Sequence, residues 1–148
     1  MATDLVSARP GEESVRNMGA RWGGYTELFS DGFVGVPETF LTHYATLKPY
    51  SLTVSEAMFV LHLMAHKWTP DPPFPSYRTL AKRMGVTDKM ARRYASNLEK
   101  KGLLKREGRI GGTNAFDLTP LFQKLVNTVA AEKSAAAAAE RRPAWQRA

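Results

Sequence analysis

The middle of the chain contains two short helical segments whose ends are marked by capping residues and glycines, and this pattern constrains the fold most. Ser76 fits the N-cap of a first helix that Gly85 ends. Thr87 fits the N-cap of a second helix, over residues 88–101, that Gly102 ends. The two predicted helices are therefore separated by a turn of three to four residues.

Two helices joined by a short turn that contains glycine form a helix-turn-helix arrangement, and the second helix has the faces that such a unit needs. At about 100° per residue, Tyr94, Ala95 and Leu98 lie on one side and are expected to face the core. The other side carries Lys89, Arg92, Arg93, Ser96 and Lys100. Such donors suit base edges and phosphates, so we expect this helix to lie in the DNA major groove.

Basic charge is concentrated in the same region. Residues 78–109 contain eleven basic and three acidic residues, a net charge of +8, whereas the whole chain carries +7. A strongly basic segment in an otherwise near-neutral protein is typical of nucleic-acid binding. A solvated basic face without a ligand is the alternative.

A β-hairpin is predicted directly after the second helix. Residues 103–106 and 115–118 have the composition of strands, and three glycines lie between them around Arg109. Such a hairpin is the wing of a winged helix-turn-helix, here predicted over residues 105–114. We expect Arg109, at its tip, to enter the minor groove or contact phosphate.

The predicted fold is mainly α with a small β-hairpin wing, a winged helix-turn-helix followed by a C-terminal helix. Residues 1–20 are expected to form a flexible N-terminal arm. Residues 21–119 form the predicted DNA-binding domain, and residues 120–148 the C-terminal helix and tail.

Further elements are predicted ahead of the helix-turn-helix. A short strand is expected near residues 33–36, followed by a helix over residues 37–47. Thr53 and Glu56 form a capping-box pattern at the start of a helix that extends to about Lys67. Its apolar residues nearly encircle it, so we expect it to be the central buried helix. These residues are Val54, Ala57, Met58, Leu61, Met64, Ala65 and Trp68.

The C-terminal helix is predicted from a cap and first-turn pair, Thr119 and Pro120, and extends to about Arg142. Its first half carries an apolar stripe that we expect to pack on the domain and to contribute to a homodimer interface. The stripe consists of Leu121, Phe122, Leu125, Val126 and Val129. A monomer with a fraying tail is the alternative.

Two stretches of the basic segment resemble a known family. Residues 75–87, Pro-Ser-Tyr-Arg-Thr-Leu-Ala-Lys-Arg-Met-Gly-Val-Thr, and 98–104, Leu-Glu-Lys-Lys-Gly-Leu-Leu, are similar to winged helix-turn-helix domains of plasmid and phage replication initiators and DnaD-like primosome proteins. The lead-in at 32–37 and 53–67 is similar as well, so the resemblance covers about residues 30–125. It implies DNA binding, often as a dimer. Because the chain ends soon after the wing, a regulator or accessory binder fits at least as well as an initiator.

The sequence lacks the residues that several other classes of function require. The absence of cysteine excludes disulfides and thiolate metal sites and agrees with a cytoplasmic, nucleoid-associated protein. His62 and His66 are four residues apart, but Leu63 stands where the zincin motif needs glutamate, so no metal is expected. No nucleophile elbow, phosphate-binding loop, signal peptide or membrane span is present. We therefore predict no enzymatic activity, no catalytic residue and no cofactor.

The sequence favours a sequence-specific double-stranded DNA-binding protein, either a transcriptional regulator or a replication-control factor. A winged helix that docks a protein partner in a replisome or other nucleoprotein assembly is the alternative. The predicted DNA-contacting residues are Ser76, Tyr77, Arg78, Thr87, Asp88, Lys89, Arg92, Arg93, Ser96, Lys100, Arg106 and Arg109.

Overall fold

The structure is a computed structural model that describes residues 12–66 and 71–146, and the regular secondary structure in these ranges is helical apart from one short hairpin. The α-helices are α1 (Glu12–Arg21), α2 (Glu38–His43), α3 (Val54–Ala65), α4 (Tyr77–Met84), α5 (Asp88–Lys100) and α6 (Thr119–Glu140). Two 3-10 turns span Thr26–Phe29 and Ala144–Gln146. Strands β1 (Lys105–Glu107) and β2 (Ala115–Asp117) pair antiparallel, with Arg106 opposite Phe116. The mainly helical fold with a hairpin and a C-terminal helix confirms the predicted fold class.

Helix α3 lies at the centre and packs against both α4 and α5. The predicted capping box is present at its start: the Glu56 N–H donates to Thr53 Oγ1 at 3.1 Å, and the Thr53 N–H donates to Glu56 Oε1 at 2.9 Å. Phe59, Val60 and Leu63 are fully buried on the face that α3 turns towards the core. This helix is therefore the scaffold on which the helix-turn-helix is mounted.

The predicted buried set of α3 was partly wrong. Val54 is 72% exposed and Met58 is 44% exposed, whereas Ala57 and Met64 are buried as expected. Because apolar residues nearly encircle this helix, their pattern does not decide which face turns inwards. The positions of α4 and α5 determine which face of α3 is buried. Trp68, the last residue of the predicted set, lies outside the described residues.

Two elements before α3 also differ from prediction. Residues 33–36 form no strand, and among the described residues only β1 and β2 pair in a sheet. A lone extended segment has no partner for its ladder hydrogen bonds. Helix α2 begins at Glu38, with Pro37 as its N-cap, and ends at His43, about one turn earlier than expected.

An N-terminal helix was not anticipated. Residues 12–21 form α1 in the region predicted as a flexible arm, whose first eleven residues lie outside the described residues. Helix α1 packs on the 3-10 turn Thr26–Phe29. Gly19 permits this contact, because a Cβ at this position would lie 2.6 Å from Thr26 Cγ2.

The hairpin is joined to the rest of the domain through β2. Phe116 packs edge-on against Phe59 of α3 and Tyr77 of α4, at centroid distances of 6.1 and 5.6 Å. Its N–H donates to the Pro73 carbonyl at 2.8 Å, so the proline-rich connector that leads into α4, residues 71–75, runs beside the hairpin. The hairpin is thereby fixed next to the start of α4.

Helix α6 follows the hairpin and packs on α2. Leu118, not Thr119, is its N-cap, and the Thr119 N–H donates to Asp117 Oδ1 at 2.9 Å. His43 Nε2 lies 2.9 Å from Glu132 Oε2, which links the middle of α6 to the end of α2. None of the helices within residues 12–66 and 71–146 is both long enough and apolar enough to cross a membrane.

An ion pair joins the start of α3 to the end of α5. The Glu56 carboxylate is only 2% exposed and accepts hydrogen bonds from the Thr53 N–H and from Lys101 Nζ. Lys101 Nζ also donates to the Ser51 carbonyl at 2.8 Å. The ion pair thus holds the C-terminal end of α5 against the entry to α3.

We expect Glu56→Ala to lower the free energy of unfolding by about 3 kcal/mol, because it leaves the Lys101 ammonium without its buried partner. Chemical denaturation measures this change. Glu107→Ala is the matched control, since its contact with Lys105 is exposed and 3.8 Å long and should contribute less than about 0.5 kcal/mol. Equal losses in the two variants would contradict a structural role for the buried pair.

The link between His43 and Glu132 should make stability depend on pH. The hydrogen bond to Glu132, followed by that to the Thr39 carbonyl, raises the pKa of His43 above its ordinary value of 6.5. The folded state therefore favours the protonated imidazole, so the stabilisation is complete below pH 6.5 and is lost as pH rises through the raised pKa. The difference in unfolding free energy between wild type and Glu132→Gln should therefore shrink as the pH rises through the raised pKa of His43. A difference that grows with pH would contradict the assignment.

Candidate nucleic-acid interface

The helix-turn-helix is formed by α4, a turn through Gly85 and Val86, and α5. The Thr79 N–H donates to Ser76 Oγ at 3.0 Å, and the Met90 N–H donates to Thr87 Oγ1 at 3.2 Å, so both predicted N-caps are confirmed. Gly85 has φ of +69° and ends α4 in the left-handed conformation. This geometry turns the chain directly from α4 into α5.

Helix α5 has one buried and one exposed face. Ala95 and Leu98 are fully buried, as predicted, and so is Ala91, where α5 meets α3 and α4, whereas Tyr94 is half-buried. The outward face is basic and solvent-exposed. Its exposed cations are Lys89, Arg92, Arg93 and Lys100.

Tyr77, the first residue of α4, lies where α4, α5 and the hairpin meet. The Arg92 guanidinium carbon lies 4.7 Å from the centre of the Tyr77 ring, within cation–π range. The Tyr77 hydroxyl accepts a hydrogen bond from Arg106 Nη1 at 3.0 Å. One aromatic side chain therefore contacts an arginine of α5 and an arginine of β1.

Arg106 forms a bidentate ion pair with Glu99 of α5. Its Nε and Nη2 donate to the two carboxylate oxygens at 2.8 and 2.9 Å. These hydrogen bonds lower the pKa of Glu99 and, together with the Tyr77 contact, raise the pKa of Arg106. Sequence reasoning missed Glu99. The available signal was its position as one of three acids in the basic segment.

The tip of the hairpin folds back towards the connector. The Arg109 guanidinium carbon lies 3.9 Å from the centre of the exposed Phe74 ring, and Thr113 Oγ1 donates to the Phe74 carbonyl. Gly111, with φ of +68°, makes the turn that permits this path. Phe74 was not among the predicted site residues, because its contact with Arg109 spans 35 positions of sequence.

A cleft of about 290 Å³ lies between the start of α4, the first turns of α5 and the hairpin. Arg78 and Arg92 line it from the two helices, and Asn114 lines it from the hairpin. The cleft therefore presents cationic and amide donors along one surface, together with the carboxylate of Asp88.

The predicted DNA-contacting residues fall in three neighbouring places. Ser76, Tyr77 and Arg78 lie at the start of α4, and Arg106 and Arg109 lie on the hairpin. Ser76, Tyr77, Ser96 and Arg106 are half-buried, whereas the other members are exposed. The members on α5 and its N-cap are Thr87, Asp88, Lys89, Arg92, Arg93, Ser96 and Lys100.

The apolar stripe of α6 divides between core and surface. Leu121 and Leu125 are buried within the chain, so their side chains are already used in its own core. Val126 is 62% exposed, and Phe122 and Val129 are half-buried. These three residues line an open apolar groove of about 460 Å³ that α2 closes on one side.

Comparisons with known proteins agree with this architecture. The profile of a family described as a helix-turn-helix domain matches residues 50–104. The crystal structure of the N-terminal domain of DnaD protein from Geobacillus kaustophilus HTA426 is similar over 82% of this chain and 96% of that chain, with a TM-score of 0.57 and 25% sequence identity. No curated protein sequence matches the chain. The helix-turn-helix domain indicates DNA binding. Together the two comparisons support the resemblance to DnaD-like winged helix-turn-helix domains that the sequence predicts.

Proposed function

We propose that this protein binds specific sequences of double-stranded DNA, with α5 in the major groove and the hairpin at the backbone or minor groove. The observation that carries the proposal is the two-faced character of α5. Its apolar face is fully buried through Ala91, Ala95 and Leu98, and its outward face is basic. A helix held in this way presents charged donors on a rigid surface, which is the requirement for reading base edges.

The dimensions of α5 agree with this role. Its 13 residues extend over about 20 Å, and the major groove, about 12 Å wide, accommodates an α-helix. Residues near the N-terminus of such a helix contact bases, so Lys89 and Arg92 are the proposed base-contacting residues. Arg92 and Arg93 have forked donors suited to guanine O6 and N7. Lys100 lies at the far end, where a phosphate contact is expected.

Phosphate contacts would come from the elements beside α5. Ser76 and Arg78 lie at the N-terminus of α4. In helix-turn-helix motifs the first helix crosses the DNA backbone, so both residues would lie near phosphates. Arg109 at the hairpin tip would contact phosphate or enter the minor groove after leaving the Phe74 ring. The net charge of +8 over residues 78–109 supports this sequence-independent part of the affinity.

The biological role that we propose is replication control in the nucleoid. The similarity to the DnaD N-terminal domain and the resemblance of residues 75–87 to DnaD-like primosome proteins support it. A transcriptional regulator would use the same contacts. A genome-wide map of bound sites distinguishes the two, with sites clustered at replication origins expected for replication control and sites at promoters for regulation.

We further propose that the protein acts as a homodimer through the exposed part of the α6 stripe. Two-fold partners would present their α5 helices to half-sites about one turn of DNA apart. Val126→Glu should place a charge in the groove and shift the sedimentation coefficient from dimer to monomer. A wild-type monomer, both free at micromolar concentration and on DNA, would contradict this proposal.

DNA binding should weaken when donors are removed from the outward face of α5. Arg92→Ala should cost about 1–3 kcal/mol of affinity and relax the preferred sequence, because it removes a base contact. Removal of a phosphate contact, as expected for Lys100→Ala, should reduce the slope of log affinity against log salt by about 0.9. Fluorescence anisotropy with a duplex enriched by in vitro selection measures both quantities.

Arg16→Ala is the matched control, since Arg16 is an exposed arginine of α1 outside the basic segment. It removes the same charge and should leave the sequence preference unchanged. If Arg92→Ala and Lys89→Ala also leave affinity unchanged, the DNA-binding proposal fails and the protein-docking alternative is favoured.

A further inference from the structure

An acidic residue lies within the strongly basic segment and joins two elements of the candidate interface. Both carboxylate oxygens of Glu99 accept hydrogen bonds from Arg106, one from Nε and one from Nη2. Glu99 belongs to α5 and Arg106 to β1. A bidentate pair fixes direction as well as distance, so it sets the orientation of the hairpin relative to α5.

Arg106 has a second partner within the protein. Its Nη1 donates to the Tyr77 hydroxyl at 3.0 Å, so each of its three nitrogens donates to a neighbouring side chain. The side chain is half-buried between these partners. Three of its five N–H groups therefore already have partners that hold the side chain towards Glu99 and Tyr77, and only two remain for a phosphate.

Tyr77 extends these contacts to the residue best placed to read bases. Its ring supports the Arg92 guanidinium at 4.7 Å and forms a T-shaped pair with Phe116 at 5.6 Å between ring centres. The contacts from Glu99 to Arg106, to Tyr77 and to Arg92 form one continuous path. This path begins and ends on α5 and passes through the hairpin and α4.

We propose that Glu99, Arg106 and Tyr77 are positioning residues that orient the hairpin and Arg92 for DNA, and that Arg106 does not itself contact phosphate. This inference rests on the proposed DNA binding. An interface ordered before binding loses less conformational entropy on association. Glu99, Arg106 and Tyr77 thus raise the affinity of the protein for DNA by holding their neighbours in place.

The sign of one substitution separates this role from simple electrostatics. Glu99→Gln removes a negative charge from a surface that faces DNA, and it releases Arg106 towards the phosphates. Charge alone predicts tighter binding in both respects. Positioning predicts binding that is weaker by about five- to tenfold, because the hairpin and Arg92 lose their fixed orientation.

The experiment measures the affinity of the full chain for its selected duplex in Glu99→Gln, Arg106→Gln, Arg106→Lys and the Glu99→Gln/Arg106→Gln double variant. Glu107→Gln is the matched control, because it removes an exposed acid from the same strand as Arg106. We expect the control to bind as well as wild type or slightly better. Thermal unfolding of each variant verifies that it is folded at the assay temperature.

Arg106→Lys supplies a second test, which separates loss of the bidentate pair from loss of the charge. Lysine keeps the charge for a phosphate but cannot form the bidentate pair. Positioning predicts that Arg106→Lys binds about as weakly as Arg106→Gln, with a salt slope close to that of wild type. The double variant should be no weaker than either single variant, because the two residues act through one contact.

Tighter or unchanged binding by Glu99→Gln would overturn the inference. So would full affinity in Arg106→Lys together with a slope reduced by about 0.9 in Arg106→Gln, since these results identify a direct phosphate contact. Either result leaves the proposed function intact. Failure of the proposed function has a different signature, in which wild type selects no duplex or Arg92→Ala binds as wild type does.

Discussion

The burial of one face of α5 against α3 and α4 is the contact on which the rest of the structure depends. Ala91, Ala95 and Leu98 are completely inaccessible to solvent at this contact. Once this face is buried, the geometry of a helix places Lys89, Arg92, Arg93 and Lys100 on its outward side. The basic surface is therefore a consequence of how the core is packed, and its rigidity comes from the same packing.

Two ion pairs hold this arrangement at its edges. Glu56 and Lys101 join the end of α5 to the start of α3, and Glu99 and Arg106 join α5 to the hairpin. The first pair includes a buried carboxylate, so it acts chiefly on stability. The second lies beside the outward face, so it acts on the orientation of the groups that would meet DNA. Helix α5 is thus held by a buried acid of α3 and uses an acid of its own, Glu99, at the interface.

Local signals in the sequence predicted the elements that carry function. Capping residues and glycines act within a few positions, so the bounds of α4 and α5 and the position of the hairpin follow from residues such as Ser76, Gly85 and Thr87. Non-local contacts were not predictable in this way. The exposure of Val54 depends on where other helices pack, and Glu99 meets Arg106 only after the chain turns into the hairpin.

The central claim, that the outward face of α5 and the hairpin together bind double-stranded DNA, is tested most directly by mapping the contact surface on the folded chain. Backbone amide shifts in nuclear magnetic resonance spectra, recorded during titration with the selected duplex, provide this map. The largest shifts should cluster in residues 87–96 and 105–114. Shifts concentrated along the α6 groove at residues 122–130, or no shifts at all, would contradict it.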